Sequence, residues 1–153
     1  MFLCIIKTVI MACSFYVMTG TDCGSHPRFQ KHGNSIVSLN SCDNDITSHL
    51  EQLRVPPSIT SEASLILARV GIFDCSSYLH LTICPAHRGN LGIYWRSRVK
   101  RCQVPDEIAG HRSISKKFVI GDRGLGFFQS KKIMETIKIL VPIGAGIYIW
   151  IYC

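Results

Sequence analysis

At 153 residues, 47% of them hydrophobic and 18% charged, the chain is long enough for one buried core and too short for several; it reads as one small domain with appendages. The net charge of +7 sits entirely in the second half: residues 1–74 hold five Lys/Arg against six Asp/Glu, and residues 75–153 hold twelve against four. A basic half of this kind suggests an acidic partner, such as nucleic acid, an anionic membrane or an acidic protein.

The eight cysteines are spread too widely for the dense framework of a small secreted protein. They favour an intracellular chain, in cytoplasm or nucleus, with one metal site and several bystander thiols. A secreted, disulfide-stabilised protein without metal is the alternative.

Residues 1–18 are apolar but interrupted by Lys7, with no basic residue before it and a poor cleavage pair at Thr19 and Thr21. They match a signal peptide weakly, and the run is too short and charged for a stable membrane span. A start at Met11 is a further option. Residues 19–42, rich in Gly, Ser, Asn and His, read as a flexible loop, so that 1–42 forms a variable or disordered N-terminal segment. Cys23 and His26 make a Cys-x2-His pair there, expected to be a free thiol and a surface histidine.

Residues 43–146 form the expected Cys/His-rich domain. A helix is predicted over 44–54, with Ile46, Leu50 and Leu53 on one face and Pro56-Pro57 stopping it. A second runs over 61–70, capped by Thr60 or Ser58, with Ala63, Ile66, Leu67 and Val70 buried and Gly71 in the left-handed conformation after it. A short third is capped by Asp74 and passes through Tyr78 and Leu81. His49 and His80 read as surface or core histidines.

The stretch from Cys84 to His111 carries the chemistry. Cys84-Pro85-Ala86-His87 has the spacing of two ligands on one tight turn, and Cys102 and His111 supply a second pair. Cys84, His87, Cys102 and His111 are the expected ligands of a structural zinc ion, with Cys75 a rival for the fourth position. Leu91 to Trp95 is expected as a strand between the pairs, and Pro105-Asp106-Glu107 as a helical turn. Tyr94, Trp95, Arg96, Arg98, Lys100 and Arg101 lie between the ligands; the cations suit phosphates and the rings suit stacking, so this run is the expected partner-binding surface.

Beyond it, residues 116–120 read as a strand, and Gly121 to Gly126 as a Gly-rich turn that lacks the phosphate-loop pattern. Ser130 is expected to cap a helix that buries Ile133, Met134, Ile137 and Leu140 and ends at Pro142. Residues 147–153 form an atypical apolar tail, an added strand or an intron read-through after Gly146. No paired carboxylates, nucleophile elbow or Cys/His dyad outside the knuckle is visible, so no enzyme is expected. The fold class is small α+β: a helical N-terminal unit, a zinc-knuckle-like region with short strands, and one C-terminal helix.

The order Ile83-Cys84-Pro85-x-His87-Arg88, Leu91-Gly92-x-x-Trp95-Arg96, Cys102-x-x-Pro105, Gly121-Asp122-Arg123-Gly124 and Leu140-Val141-Pro142-Ile143-Gly144-Ala145-Gly146 resembles an uncharacterised set of Cys/His-rich invertebrate proteins, over roughly residues 39–147. In that set the Val-Pro-x-Gly segment runs on into a further Cys-x2-Cys, where this chain has Tyr148 and Trp150. The resemblance implies that if this pair normally completes the metal site, His111 or Cys153 must substitute or the metal is lost.

Overall fold

The computed structural model describes residues 12–98, 100–109, 121 and 123–148. The apolar start through Met11, the proposed strand at 116–120, His111, and the tail from 149 onward lie outside these. Short helices and two small antiparallel sheets make an α+β fold. In chain order the helices are α1 (Phe15–Thr19), α2 (Thr47–Gln52), α3 (Glu62–Arg69), α4 (Pro85–Leu91), α5 (Asp106–Ala109) and α6 (Phe127–Ile137). The strands are β1 (Val37–Ser38), β2 (Thr82–Ile83), β3 (Arg123–Gly124) and β4 (Gly146–Ile147), with 3-10 turns at Pro27–His32, Leu39–Ser41 and Ser76–Tyr78. Val37 pairs with Ile83, and Arg123 with Ile147.

Helix α3 is the centre of the molecule. The Ser61 hydroxyl caps it by accepting from the Ser64 N–H, one residue after Thr60 and three after Ser58, the two expected caps. Nearly every α3 side chain is buried, because the helix has apolar residues on opposite faces. Ala63, Ile66 and Leu67 pack with Cys13, Phe15, Leu39, Cys42, Ile83 and Cys84. Leu65 and Ala68 pack with Ile46, Leu50, Val55, Ile59 and Ile143 on the other side. Ile46, at the N-cap of α2, and Leu50 within it are buried as their spacing predicts. Arg54, the residue after the α2 cap, has a left-handed backbone (φ 53°), which costs a non-glycine residue about 1 kcal/mol. Gly71 follows α3 with φ 86°, as expected.

Two charges are buried at the ends of α3, and each is satisfied. The Glu62 carboxylate accepts from Arg88 Nη2 (2.7 Å) and Nε (3.1 Å), and from the backbone and side-chain amides of Asn44 (3.0 Å each). Arg69 donates Nε to the Ile143 carbonyl (3.1 Å) and Nη1 to the carbonyls of Leu91 and Gly92 (2.7 Å each). Its guanidinium stacks 4.5 Å from the Trp95 ring centroid, and Nη2 lies 2.9 Å from His49 Nε2. His49 is therefore a buried core histidine.

A third cluster, Val104, Leu125, Ile133, Val141, Ala145 and Ile147, holds the C-terminal elements together. Ile147, the first residue of the expected apolar tail, is fully buried in β4.

Three local expectations change. The Leu91–Trp95 stretch is the end of α4 and a following turn, because Pro85 fills the first position of a helix, where its missing N–H costs nothing. Ser130 lies inside α6 and donates to the Val141 carbonyl at 2.6 Å, while Gly126 begins that helix with the Gln129 side chain accepting from its N–H. The third helix is a single 3-10 turn, with Asp74 accepting from Ser76.

Candidate metal centre

Cys84 follows β2 and is the N-cap of α4, so its sulfur and His87 share the first helical turn; Sγ lies 3.0 Å from His87 Nδ1. Two distant segments close on this pair. Residues 12–14 run along β2: the Ser14 N–H donates to the Thr82 carbonyl (2.9 Å), and the Thr82 hydroxyl donates to the Ala12 carbonyl (2.6 Å). This places Cys13 Sγ 3.4 Å from His87 Nδ1 and within reach of the Cys84 N–H, which donates to it at 3.3 Å. Residues 23–24 are fixed by the Ala86 N–H donating to the Gly24 carbonyl (3.0 Å), which sets Cys23 Sγ 3.9 Å from the same imidazole nitrogen.

The ligand atoms of Cys13, Cys23, Cys84 and His87 all lie within 4.8 Å of one another, a Cys3His group placed to hold a metal ion. Cys13, Cys84 and His87 are buried and Cys23 is exposed. The six described cysteines, Cys13, Cys23, Cys42, Cys75, Cys84 and Cys102, are all free thiols.

The far side of the imidazole is fixed by two threonines. His87 Nε2 lies 2.9 Å from both the Thr19 and Thr21 hydroxyls, and the Thr19 hydroxyl donates to the Phe15 carbonyl at 2.9 Å. With Thr21 donating on to Thr19 (2.7 Å), the pair is left as acceptors for an Nε2–H, which turns the Nδ1 lone pair toward the three sulfurs. Burial holds the His87 pKa below its usual value despite the Thr21 bond, so the ring is neutral, as a ligand must be.

The sulfurs are unequal. Desolvation raises the Cys84 thiol, but N–H groups of His87 and Gly24 and the neighbouring Cys13 and Cys23 thiols stabilise its thiolate, and the net shift is downward. Cys23 is pushed up to about 12 by desolvation against the cluster and by hydrogen bonds and charge from Cys13 and Cys84. Three sulfurs this close cannot all ionise unaided, whereas a cation would stabilise every thiolate together.

Of the four ligands expected from spacing, Cys84 and His87 belong to this group. Cys102 does not: it packs half-buried against the third cluster beside Val104. His111 lies outside the described residues. Cys75, the rival fourth ligand, packs against the first core cluster outside the group. The two members of the group that spacing did not point to are Cys13, inside the apolar start, and Cys23, inside the Gly/Ser-rich loop. The Cys23-x2-His26 pair was half a signal, because Cys23 is in the group while His26 is not. His26 accepts from the Arg28 N–H and stacks on Tyr94 (5.6 Å, 15°). The resemblance implied a site short of ligands at its C-terminal end; the group placed to hold a metal ion here lies between Cys13 and His87.

The expected partner surface divides. Arg96 is tied down, donating to the carbonyls of Ile93 and Trp95 and to Gln52, and contacting His49 Nδ1 at 3.1 Å. Arg98, Lys100 and Arg101 are exposed. Tyr94, Trp95, Arg96 and Arg98 line one open cleft of about 490 Å³ with Asn90, Ser97 and Gln103. Among the described residues no helix is long and apolar enough to cross a membrane. The chain matches no protein-family model, no curated protein and no solved structure.

Proposed function

We propose that the chain is a non-enzymatic zinc-binding module of a reducing compartment, whose metal fixes the N-terminal segment to the core and whose basic face contacts nucleic acid or an acidic protein. The observation that carries this reading is the Cys3His group. Zinc–sulfur bonds of about 2.3 Å and zinc–nitrogen bonds of about 2.0 Å in a tetrahedron put sulfur and nitrogen ligands about 3.5 Å apart. The three sulfurs stand at 3.0, 3.4 and 3.9 Å from His87 Nδ1, around that value. Thiolate and imidazole ligands suit zinc, and four protein ligands leave no position for a reacting water, which supports a structural ion.

The cleft that gathers Tyr94, Trp95, Arg96 and Arg98 supports the second half of the reading, since an aromatic ring beside guanidinium groups suits an unpaired base and its phosphate. Metal analysis of protein purified under reducing conditions tests the first half: one equivalent of zinc is expected, retained through dialysis and lost in Cys84→Ser. A chain that folds with no bound zinc, or with its described cysteines oxidised in pairs, would sink the proposal. Binding of single-stranded oligonucleotides that weakens with salt tests the second half, and salt-independent or absent binding removes nucleic acid in favour of an acidic protein.

A further inference from the structure

A second cleft, of about 440 Å³, opens beside the first and shares Ser97 with it. Three segments remote in sequence each send one cation to its lining: Arg54 from the end of α2, Lys100 from the basic run, and Arg123 from β3. No carboxylate lines it among the described residues. The Arg123 Nε–H is buried without a hydrogen-bond partner among the described residues.

Backbone geometry adds two observations. Arg54 occupies a left-handed position where glycine is the favoured residue. Glycines complete the lining, and they are required: a Cβ at Gly124 would lie 2.4 Å from the Leu53 carbonyl oxygen, and one at Gly121 would lie 2.6 Å from the Cα of Gly146. These glycines let the backbone at this end of the cleft pack directly against Leu53 and Gly146.

We propose that this cleft is a binding site for a phosphate group, free or carried by a nucleotide or a nucleic-acid strand, with Lys100 and Arg123 supplying the charge-assisted hydrogen bonds. Arginine and lysine donors converging on a small polar cleft match a tetrahedral dianion in charge and in donor number. The site is independent of the metal, and it does not require a base in the Trp95 cleft.

The test is an amide-resonance titration of the zinc-loaded full chain with inorganic phosphate, then with a nucleoside 5′-monophosphate and a short single-stranded oligonucleotide. The expected result is a saturable shift of the Gly121, Gly124 and Gly144 amides, with affinity lowered about tenfold or more in Arg123→Gln and in Lys100→Gln. Both variants are expected to keep their zinc and circular dichroism spectrum. Response to inorganic phosphate identifies a site for the group itself; response only to the nucleotide or the oligonucleotide, with the same variant losses, identifies that carrier. Shifts elsewhere on this basic chain, no response to any of the three ligands, or equal binding by the variants would overturn the proposal. Loss of phosphate binding with zinc retained, and loss of zinc in Cys84→Ser with phosphate binding retained, separate this site from the metal reading.

Discussion

The backbone N–H of Cys84 donates to the sulfur of Cys13, 71 residues earlier, at 3.3 Å. That contact joins the apolar start of the chain to the centre of the Cys/His stretch, and it makes the metal group a long-range clasp instead of a local knuckle. Cys13→Ser and Cys84→Ser should therefore each abolish tight zinc binding and destabilise the fold, whereas Cys102→Ser should keep one equivalent of metal. Zinc content after dialysis, compared across the three variants, checks this; metal loss in Cys102→Ser with retention in Cys13→Ser would return the site to the arrangement expected from spacing.

The threonine pair behind His87 should matter nearly as much as the ligands. Thr21→Val removes one of the two acceptors facing Nε2 and breaks the hydroxyl chain to Phe15. Loss of such a partner typically weakens metal binding by about 10- to 100-fold. Competition with a chromophoric chelator should place Thr21→Val in that range, with Thr21→Ser close to the parent.

The first nineteen residues divide sharply in their expected importance. Phe15 is fully buried against Leu39, Ile66 and Ile83, and Cys13 belongs to the Cys3His group. A chain lacking residues 1–11 keeps both, along with the Ala12 carbonyl that receives Thr82. A chain lacking 1–19 loses all three and the Thr19 hydroxyl; burial of a Phe side chain alone is worth about 3 kcal/mol. The shorter deletion should bind zinc and unfold cooperatively, and the longer should do neither, as thermal melts with and without a chelator would register.

What was legible in the sequence follows from how local each signal is. Ile46 at the N-cap of α2, Leu50 within it, and Ala63, Ile66 and Leu67 on α3 declare themselves through helical spacing and a Pro-Pro stop. Cys84 and His87 declare themselves through a two-residue gap. Cys13 and Cys23 have no such neighbour: their partners are brought to them by the hydrogen bonds of Thr82 and Ala86, which no spacing rule contains. Cys102 shows the converse, since nearness in sequence to His111 and Cys84 suggested a ligand, while its neighbours in space are apolar. Leu65 and Ala68 lay off the predicted stripe because α3 has core on two sides, which a one-faced helix pattern does not anticipate.

His49 should give the fold a specific acid sensitivity. Burial, reinforced by the Arg69 and Arg96 guanidiniums, lowers its pKa from 6.5 to about 4. Between those values the unfolded chain binds a proton that the folded chain does not, so stability rises with pH and is lost as pH falls through this window. The full effect is on the order of 3 kcal/mol at most. Urea titrations at pH 7 and pH 4.5 should show His49→Gln losing much less stability on acidification than the parent. An equal loss in both would assign the acid sensitivity to the metal ligands.

Arg69 should be the least replaceable side chain outside the metal centre. Its guanidinium holds α3 to the carbonyls of Leu91, Gly92 and Ile143, contacts His49, and lies on Trp95. Burial and the nearby Arg96 lower its pKa to about 9, and the group remains cationic at neutral pH. Among the described residues no carboxylate neutralises it; the carbonyl dipoles and the indole face do that instead. Lysine cannot span these acceptors, because it lacks the planar fork and the second row of donors. Arg69→Lys would leave buried carbonyls unpaired at about 1–3 kcal/mol each, so a loss of about 3 kcal/mol or more is expected. The same substitution should loosen Trp95, read as a red shift and increased quenching of indole fluorescence, while zinc stoichiometry stays at one. A variant that keeps the parent's stability would show that α3 does not need this link to the segments on either side of it.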